Sequence, residues 1–251
     1  MSRRQRLDAE LVRRQLVVSR REAAELIESG RVLVNGAMAS KVAHQVDPSD
    51  ALLVSGPPAR FVSRGGEKLD GALEGYGIDV TGRRVLDAGA STGGFSDCLL
   101  QRGAGHVIAL DVGHGQLHPK IRDDERVTVF ERFNVREMTA DDIGGRVTCV
   151  VADLSFISLT LVVPALVGVC ETGSDLVLLV KPQFEVGRRE VSKGRGIISD
   201  PDLHEAACLA VRESCEQAGA QVHGVMLSPL TGAEGNKEFL LHATVRAKMS
   251  A

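Results

Sequence analysis

Apolar and polar positions change rhythm along the chain. From residue 84 onward, short apolar blocks alternate with segments whose apolar residues recur at helical spacing. The blocks at 84–88, 106–111, 127–130, 147–153, 176–181, 221–228 and 237–244 predict strands. The segments at 94–102, 115–122, 158–170 and 202–218, with 65–75 ahead of the first block, predict helices. Strand and helix in alternation predict an α/β fold, a doubly wound and mostly parallel sheet. Turn formers from Pro229 to Asn236 join the last two strands, so the sheet should end in a hairpin.

The first 54 residues follow another pattern. Leu7, Leu11 and Val12 are spaced for the apolar side of a short helix. Ser19-Arg-Arg-Glu22 reads as a capping box opening a second helix, which turns Ala23, Ala24, Leu26 and Ile27 to a core and stops at Gly30. Val32-Leu-Val34 followed by Asn35-Gly36 predicts a strand and a tight turn, and Ala51 to Val54 a returning strand. The expected organisation is a small α+β domain at 1–54, a connector at 55–62 stiffened by Pro57 and Pro58, and a larger α/β domain at 63–251.

Composition narrows the class. With 43% hydrophobic and 25% charged residues, the chain reads as globular rather than disordered. Cys98, Cys149, Cys170, Cys208 and Cys215 include no C-x-x-C pair, so neither a metal site nor a disulfide framework is expected, and a reducing cytoplasm suits them. The charged N-terminus with no apolar run behind it predicts no secretory leader. The longest apolar region, around Val150 to Cys170, is broken by Asp153 and Pro164 and predicts a strand and a buried helix, not a membrane span. Charge is uneven. Residues 1–60 carry ten Lys/Arg against seven Asp/Glu, and residues 61–251 carry 20 against 26. A basic terminal module is an electrostatic footprint for nucleic acid, and Arg3, Arg4, Arg6, Arg13, Arg14, Arg20, Arg21, Arg31 and Lys41 all fall within it. It is almost free of aromatics, so RNA shape and phosphates, not base stacking, should carry binding.

The stretch Val85-Leu-Asp-Ala-Gly-Ala-Ser-Thr-Gly-Gly-Phe95 joins a strand, an acidic residue, a glycine turn and a helix start. Open α/β sheets bind nucleotide-like ligands at such a strand end. Gly89, Gly93 and Gly94 lack the G-x-G-x-x-G spacing of a dinucleotide site, and Asp87 would repel a pyrophosphate. A carboxylate at Asp87 instead suits the ammonium or sulfonium end of S-adenosylmethionine, with Ser91 and Phe95 in the same loop. Asp111 ends the next strand about 20 residues on, where an acid can accept ribose hydroxyls. Asn134, after the third strand, is a candidate neighbour of the adenine. A terminal hairpin also fits a methyltransferase better than a dehydrogenase.

Charged residues mark other strand ends. Asp153 and Lys181 each close a near-continuous apolar run, and a lysine in that position is rarely buried unless it is paired. Lys68, before the first strand, and Glu238, in the last, complete two cations and two anions. Arg188, Arg189, Lys193 and Arg195 follow the fifth strand and, with Arg64, are candidates for phosphate contacts.

Six motifs then fall in one order: Phe-Val-Ser-Arg-Gly-Gly-x-Lys-Leu at 61–69, the glycine loop, Asp-Val-Gly-x-Gly-Gln-Leu at 111–117, Asp-Leu-Ser-Phe-Ile-Ser-Leu at 153–159, Val-Lys-Pro-Gln-Phe-Glu at 180–185 and Ser-Pro-Leu-x-Gly-x-x-Gly-Asn-x-Glu at 228–238. Over nearly its whole length the chain resembles the TlyA-type ribosomal RNA methyltransferases. The resemblance implies an S-four-type RNA-binding module joined to an FtsJ-like, Rossmann-like methyltransferase sheet. It further implies S-adenosylmethionine as cofactor, cytidine ribose 2′-hydroxyls as target, and a monomer working on ribosomal RNA or subunits in the cytoplasm. Lys68, Asp153, Lys181 and Glu238 match that family's catalytic tetrad. Lys181 would orient the hydroxyl and accept its proton, or act by position alone, with Asp153 and Glu238 holding the lysines. Two other readings remain: a catalytically silent ribosome-assembly factor, and the membrane lysis suggested by the name hemolysin given to some members. No stable membrane association is expected.

Overall fold

In the computed structural model, which describes residues 4–17, 20–56, 59–194, 196–232 and 234–247, the chain divides between Ala59 and Arg60 into two units. The first runs β1 (Gln5–Arg6), α1 (Leu7–Arg13), α2 (Arg20–Glu28), β2 (Val32–Val34), β3 (Ala37–Met38), β4 (Gln45–Val46) and β5 (Leu52–Val54). β2 is the middle of an antiparallel three-stranded sheet, β3-β2-β5, and β1 pairs with β4. Leu7, Leu11, Ala23, Ile27, Val32 and Val46 form its core. The turn at Asn35-Gly36 takes φ of +51° and +82°, as a two-residue hairpin of this hand requires. Ser19, Pro57 and Pro58 lie outside the described residues.

The second unit runs α3 (Gly65–Tyr76), β6 (Arg84–Ala88), α4 (Gly94–Gln101), β7 (His106–Leu110), α5 (Pro119–Arg122), β8 (Val127–Phe130), β9 (Val147–Ala152), α6 (Val163–Gly168), β10 (Cys170–Val180), α7 (Pro182–Glu185), α8 (Arg188–Lys193), α9 (Pro201–Gln217), β11 (Ala220–Leu227) and β12 (Phe239–Val245). These build a seven-stranded sheet in the order β11-β12-β10-β9-β6-β7-β8. Neighbours from β10 to β8 are parallel, and β12 runs antiparallel to both β10 and β11. The chain leaves β6 toward β7 and β8, then returns to β9 on the opposite side. Order therefore reverses between β6 and β9, opening a crevice at the carboxyl ends of the strands.

Side chains alternate between two cores, one on each face. Leu86, Val150, Leu176 and Leu178 face a core closed by α6 and α9, whereas Val85, Val151, Val177 and Leu179 face one closed by α3 and α4. Burial on both faces explains why these strands read as near-continuous apolar runs.

Two expected helices are shorter. Residues 158–170 are not one element: Leu159–Leu161 forms a single 3-10 turn, α6 restarts around Pro164, and β10 already begins at Cys170 opposite Val147. Proline at a first helical turn loses no hydrogen bond but cannot continue a preceding helix. Residues 115–122 reduce to α5 for the same reason, with Pro119 in its first turn and the His118 ring accepting from Lys120 N.

Candidate active site

Gly89 follows β6 with φ of +87°, and a Cβ placed there would lie 2.5 Å from the carbonyl oxygen of Asp153. The residue must be glycine for the β6 and β9 ends to close on each other. Asp153 N in turn donates to Ala88 O at 3.0 Å. Asp87, the last acid before this turn, is fully buried. Its Oδ2 accepts from Ser96 Oγ at 2.6 Å, and its Oδ1 has no hydrogen-bond partner among the described residues. Burial pushes the carboxyl up to about 7, against the Ser96 hydrogen bonds and with the help of the negative charges of Asp153 and Asp111.

Beside the loop lies a hollow lined in part by Ala90, Ser91, Asp111, Leu117, Phe130 and Glu131. Asp111 braces it: Oδ2 accepts from Ser91 N at 2.8 Å and Oδ1 from Gly113 N at 2.6 Å, tying the glycine loop to the turn after β7. A carboxylate has lone pairs to spare beyond those two bonds. Gly93 and Phe95 are buried at the start of α4, and Gly94 packs its backbone onto Ser63. Asn134 is exposed and caps a 3-10 turn through Arg136 N; it is not among the hollow's lining residues.

The two lysines and two further carboxylates form two pairs. Lys181 Nζ lies 2.5 Å from Asp153 Oδ1 and donates to Ser155 Oγ at 2.9 Å. Lys68 Nζ lies 2.5 Å from Glu238 Oε2. Val180 and Phe239 are antiparallel partners, so Lys181 and Glu238 stand opposite each other one step past the ladder. Local packing sets α3 in place: Phe61 occupies the space a side chain at Gly66 would need, Val62 N donates to Asp97 Oδ2, and the Tyr76 hydroxyl donates to Leu240 O at 2.7 Å. Gly232 leaves room for Glu238, since a Cβ there would lie 2.6 Å from Oε1.

Residues 61–245 match the FtsJ-like methyltransferases, and residues 5–52 match the S4 domain. The 16S/23S rRNA (cytidine-2′-O)-methyltransferase TlyA of Mycobacterium tuberculosis is 54% identical over 242 residues, covering 96% of this chain and 90% of that one. The chain belongs to the TlyA-type FtsJ-like methyltransferases. Hemolysin A of Brachyspira hyodysenteriae is 41% identical, across 89% of this chain and 93% of its own. A solved chain from Streptococcus thermophilus superposes with a TM-score of 0.78 at 37% identity, covering 98% of this chain and 90% of that one. Among the described residues, no helix of this TlyA-type chain is long and apolar enough to cross a membrane.

The basic candidates of this TlyA-type chain divide by environment. Arg4 and Lys41 are exposed, and Arg6 and Arg20 keep 47% and 59% of their side chains exposed. Arg14 does not join them: only 22% exposed, it is spent on Glu10 and on the carbonyls of Asp47, Pro48 and Asp50. Arg64 is exposed and donates to Thr231 O at 3.0 Å. The side chains of Arg21, Arg188, Arg189 and Lys193, and all of Arg3 and Arg195, lie outside the described residues.

Three residues of this region carry no assignment from the sequence pattern: Ser96 in α4, and Ser155 and Phe156 after β9. Ser96 holds Asp87, and Ser155 holds Lys181. Phe156 is 92% exposed at φ of +64°, with its ring 5.2 Å from that of Phe184. An exposed aromatic in a left-handed backbone conformation is unfavourable on both counts. Ser155 and Phe156 stand in the 153–159 motif, which was the signal available.

Proposed function

We propose that this chain transfers a methyl group from S-adenosylmethionine to the 2′-hydroxyl of cytidine ribose in ribosomal RNA, acting in the cytoplasm. The observation that carries this reading is the pair of lysine–carboxylate bridges, both lysines buried, at the carboxyl edge of the sheet, next to the Asp87–Asp111 crevice. The residues fit the cofactor. The unpartnered Asp87 Oδ1 suits its cationic end, Asp111 suits its ribose, and Ala90, Leu117 and Phe130 suit an adenine. When bound, the cofactor supplies a methyl group already activated on a sulfonium.

The chain's own part is alignment and proton handling. A ribose hydroxyl attacks poorly until its proton has a destination. Lys181, fixed by Asp153 and Ser155, orients the hydroxyl oxygen, and it can take the hydroxyl proton once one of its own has passed to the Asp153 carboxylate. Lys68 and Glu238 border it from the other side, each neutralising the other so that neither stands as an isolated buried charge. Holding oxygen, carbon and sulfur in line should supply much of the rate. Phe156 and Phe184 offer an aromatic face to the base of the target nucleotide. The exposed arginines of the first unit add sequence-independent affinity for phosphates. The name of the 54% identical relative supports cytidine as the target.

The test is transfer of radiolabelled methyl to purified 30S and 50S subunits, followed by digestion to nucleosides. Label in 2′-O-methylcytidine is the expected result, and the labelled subunit reports the range of substrates. Subunit binding without label would instead make the chain a non-catalytic assembly factor.

A further inference from the structure

Asp8 is an acid inside a basic module, and it is buried, with 4% of its side chain exposed. Five hydrogen bonds converge on it. Arg6 Nε donates to Oδ1 at 3.0 Å and Nη2 to Oδ2 at 3.1 Å. Arg20 Nε and Nη2 both donate to Oδ2, at 3.0 and 2.7 Å, and Ala9 N donates to Oδ1 at 3.0 Å. One oxygen thus holds the Nη2 atoms of two guanidiniums that come from opposite sides of the α1–α2 turn.

Both guanidiniums are gripped by one edge only. Each has five N–H donors in a rigid plane, and Asp8 takes the Nε and Nη2 corner of each. The remaining donors stay at the surface, where Arg6 and Arg20 are 47% and 59% exposed. A free arginine side chain must give up rotamer freedom to bind a phosphate, and two held side by side have already done so. Burial pushes the Asp8 carboxyl up, but the hydrogen bonds from Arg6, Arg20 and Ala9 N outweigh it and hold it at about 2. The carboxylate is therefore ionised at neutral pH, and the trio carries one net positive charge.

The neighbouring cluster shows that this outcome is not automatic. Glu10, with 1% of its side chain exposed, also receives two arginines, Arg13 and Arg14. There Arg14 directs its other donors to three carbonyls, so that cluster braces the fold. No hydrogen bond to a carbonyl competes for Arg6 or Arg20 among the described residues.

We infer that Asp8 is a positioning residue for RNA recognition, holding Arg6 and Arg20 together as one preformed phosphate-binding fork. The inference rests on the reading that this module binds ribosomal RNA. It runs against the simple electrostatic expectation, because an acid in an RNA-binding surface should weaken binding. The two accounts give opposite signs.

The experiment is filter binding of the whole chain to radiolabelled 16S and 23S ribosomal RNA at several salt concentrations. Wild type is compared with Asp8→Asn, Asp8→Glu and the Arg6→Ala/Arg20→Ala pair, with folding followed by circular dichroism. Asp8→Asn should weaken binding about tenfold and lower the salt slope by about one. Asp8→Glu keeps the charge and displaces the fork by one methylene, so it should also weaken binding; it carries the test if the asparagine variant does not fold. In the double-arginine background, Asp8→Asn should cost no further affinity. Tighter or unchanged binding by both Asp8 variants would overturn the fork, as would an arginine pair whose removal leaves affinity intact. A wild-type chain with no affinity for either RNA would overturn the underlying reading of function as well.

Discussion

Lys68 and Glu238 stand 170 positions apart in the chain and meet with 2.5 Å between Nζ and Oε2, at 10% and 4% side-chain exposure. Neither charge would be tolerated there alone, so the pair ties α3 to the strand that follows the last loop. Such a contact can serve the fold or the chemistry, and the two separate by mutation.

Glu238→Ala leaves Lys68 buried without its counter-ion and should cost about 3–5 kcal/mol. Replacing both members, Lys68→Met with Glu238→Leu, should be close to neutral or stabilising, because no charge remains to be desolvated. Methyl transfer should nevertheless be lost in the double variant. Urea unfolding and a methyl-transfer assay on the same samples check both halves, and retained turnover would assign the pair to the fold alone.

Asp87 gives a pH dependence with a defined sign. Its folded value of about 7 lies above the ordinary value near 3.9. Between those limits the folded state holds a proton that the unfolded chain has lost, so stability declines as pH rises from about 4 to 7 and then levels off. A cationic ligand acts oppositely, since it needs the ionised carboxylate. Cofactor affinity should therefore fall as pH drops below about 7, by up to about tenfold per unit, and Asp87→Asn should flatten the profile. Titration calorimetry between about pH 5.5 and 7 measures this; a flat wild-type profile would exclude contact between Asp87 and the cofactor's cationic end.

Gly89→Ala forces a side chain into a left-handed residue, at about 1–2 kcal/mol for the backbone alone, and against the Asp153 carbonyl. Cofactor binding should suffer while RNA binding by the first unit persists. Loss of both in equal measure would mean that the substitution unfolds more than the crevice.

Arg14→Ala and Arg20→Ala should diverge although both remove a cation from the same module. The first removes a brace to three carbonyls and should lower the melting temperature with little change in the salt slope of RNA binding. The second should do the reverse. Equal salt slopes for the two variants would contradict the division drawn between them.

Much of the second unit was legible because strands buried on both faces leave near-continuous apolar runs, as in Val147–Ala152, broken only by Thr148, and Leu176–Val180. The first half of β10 was not. Glu171, Thr172 and Gly173 are exposed, and the register shifts between Cys170 and Asp175, so no apolar signal marks that extension. Charged residues at strand ends could be picked out as candidates, but the choice of partner could not. Only the antiparallel return of β12 brings Glu238 to Lys68's side of the sheet edge. Nor does sequence distinguish Arg14, the C-cap of α1, from Arg13, the last residue of that helix, although 22% and 54% exposure separate them.

We propose that Lys181 serves methyl transfer and not cofactor binding. The direct measurement is the rate of radiolabelled methyl transfer to ribosomal subunits by Lys181→Ala beside wild type, with cofactor affinity of both determined by calorimetry. The expected rate is lower by about 10²–10⁴-fold, with affinity largely unchanged. Transfer at the wild-type rate would contradict it.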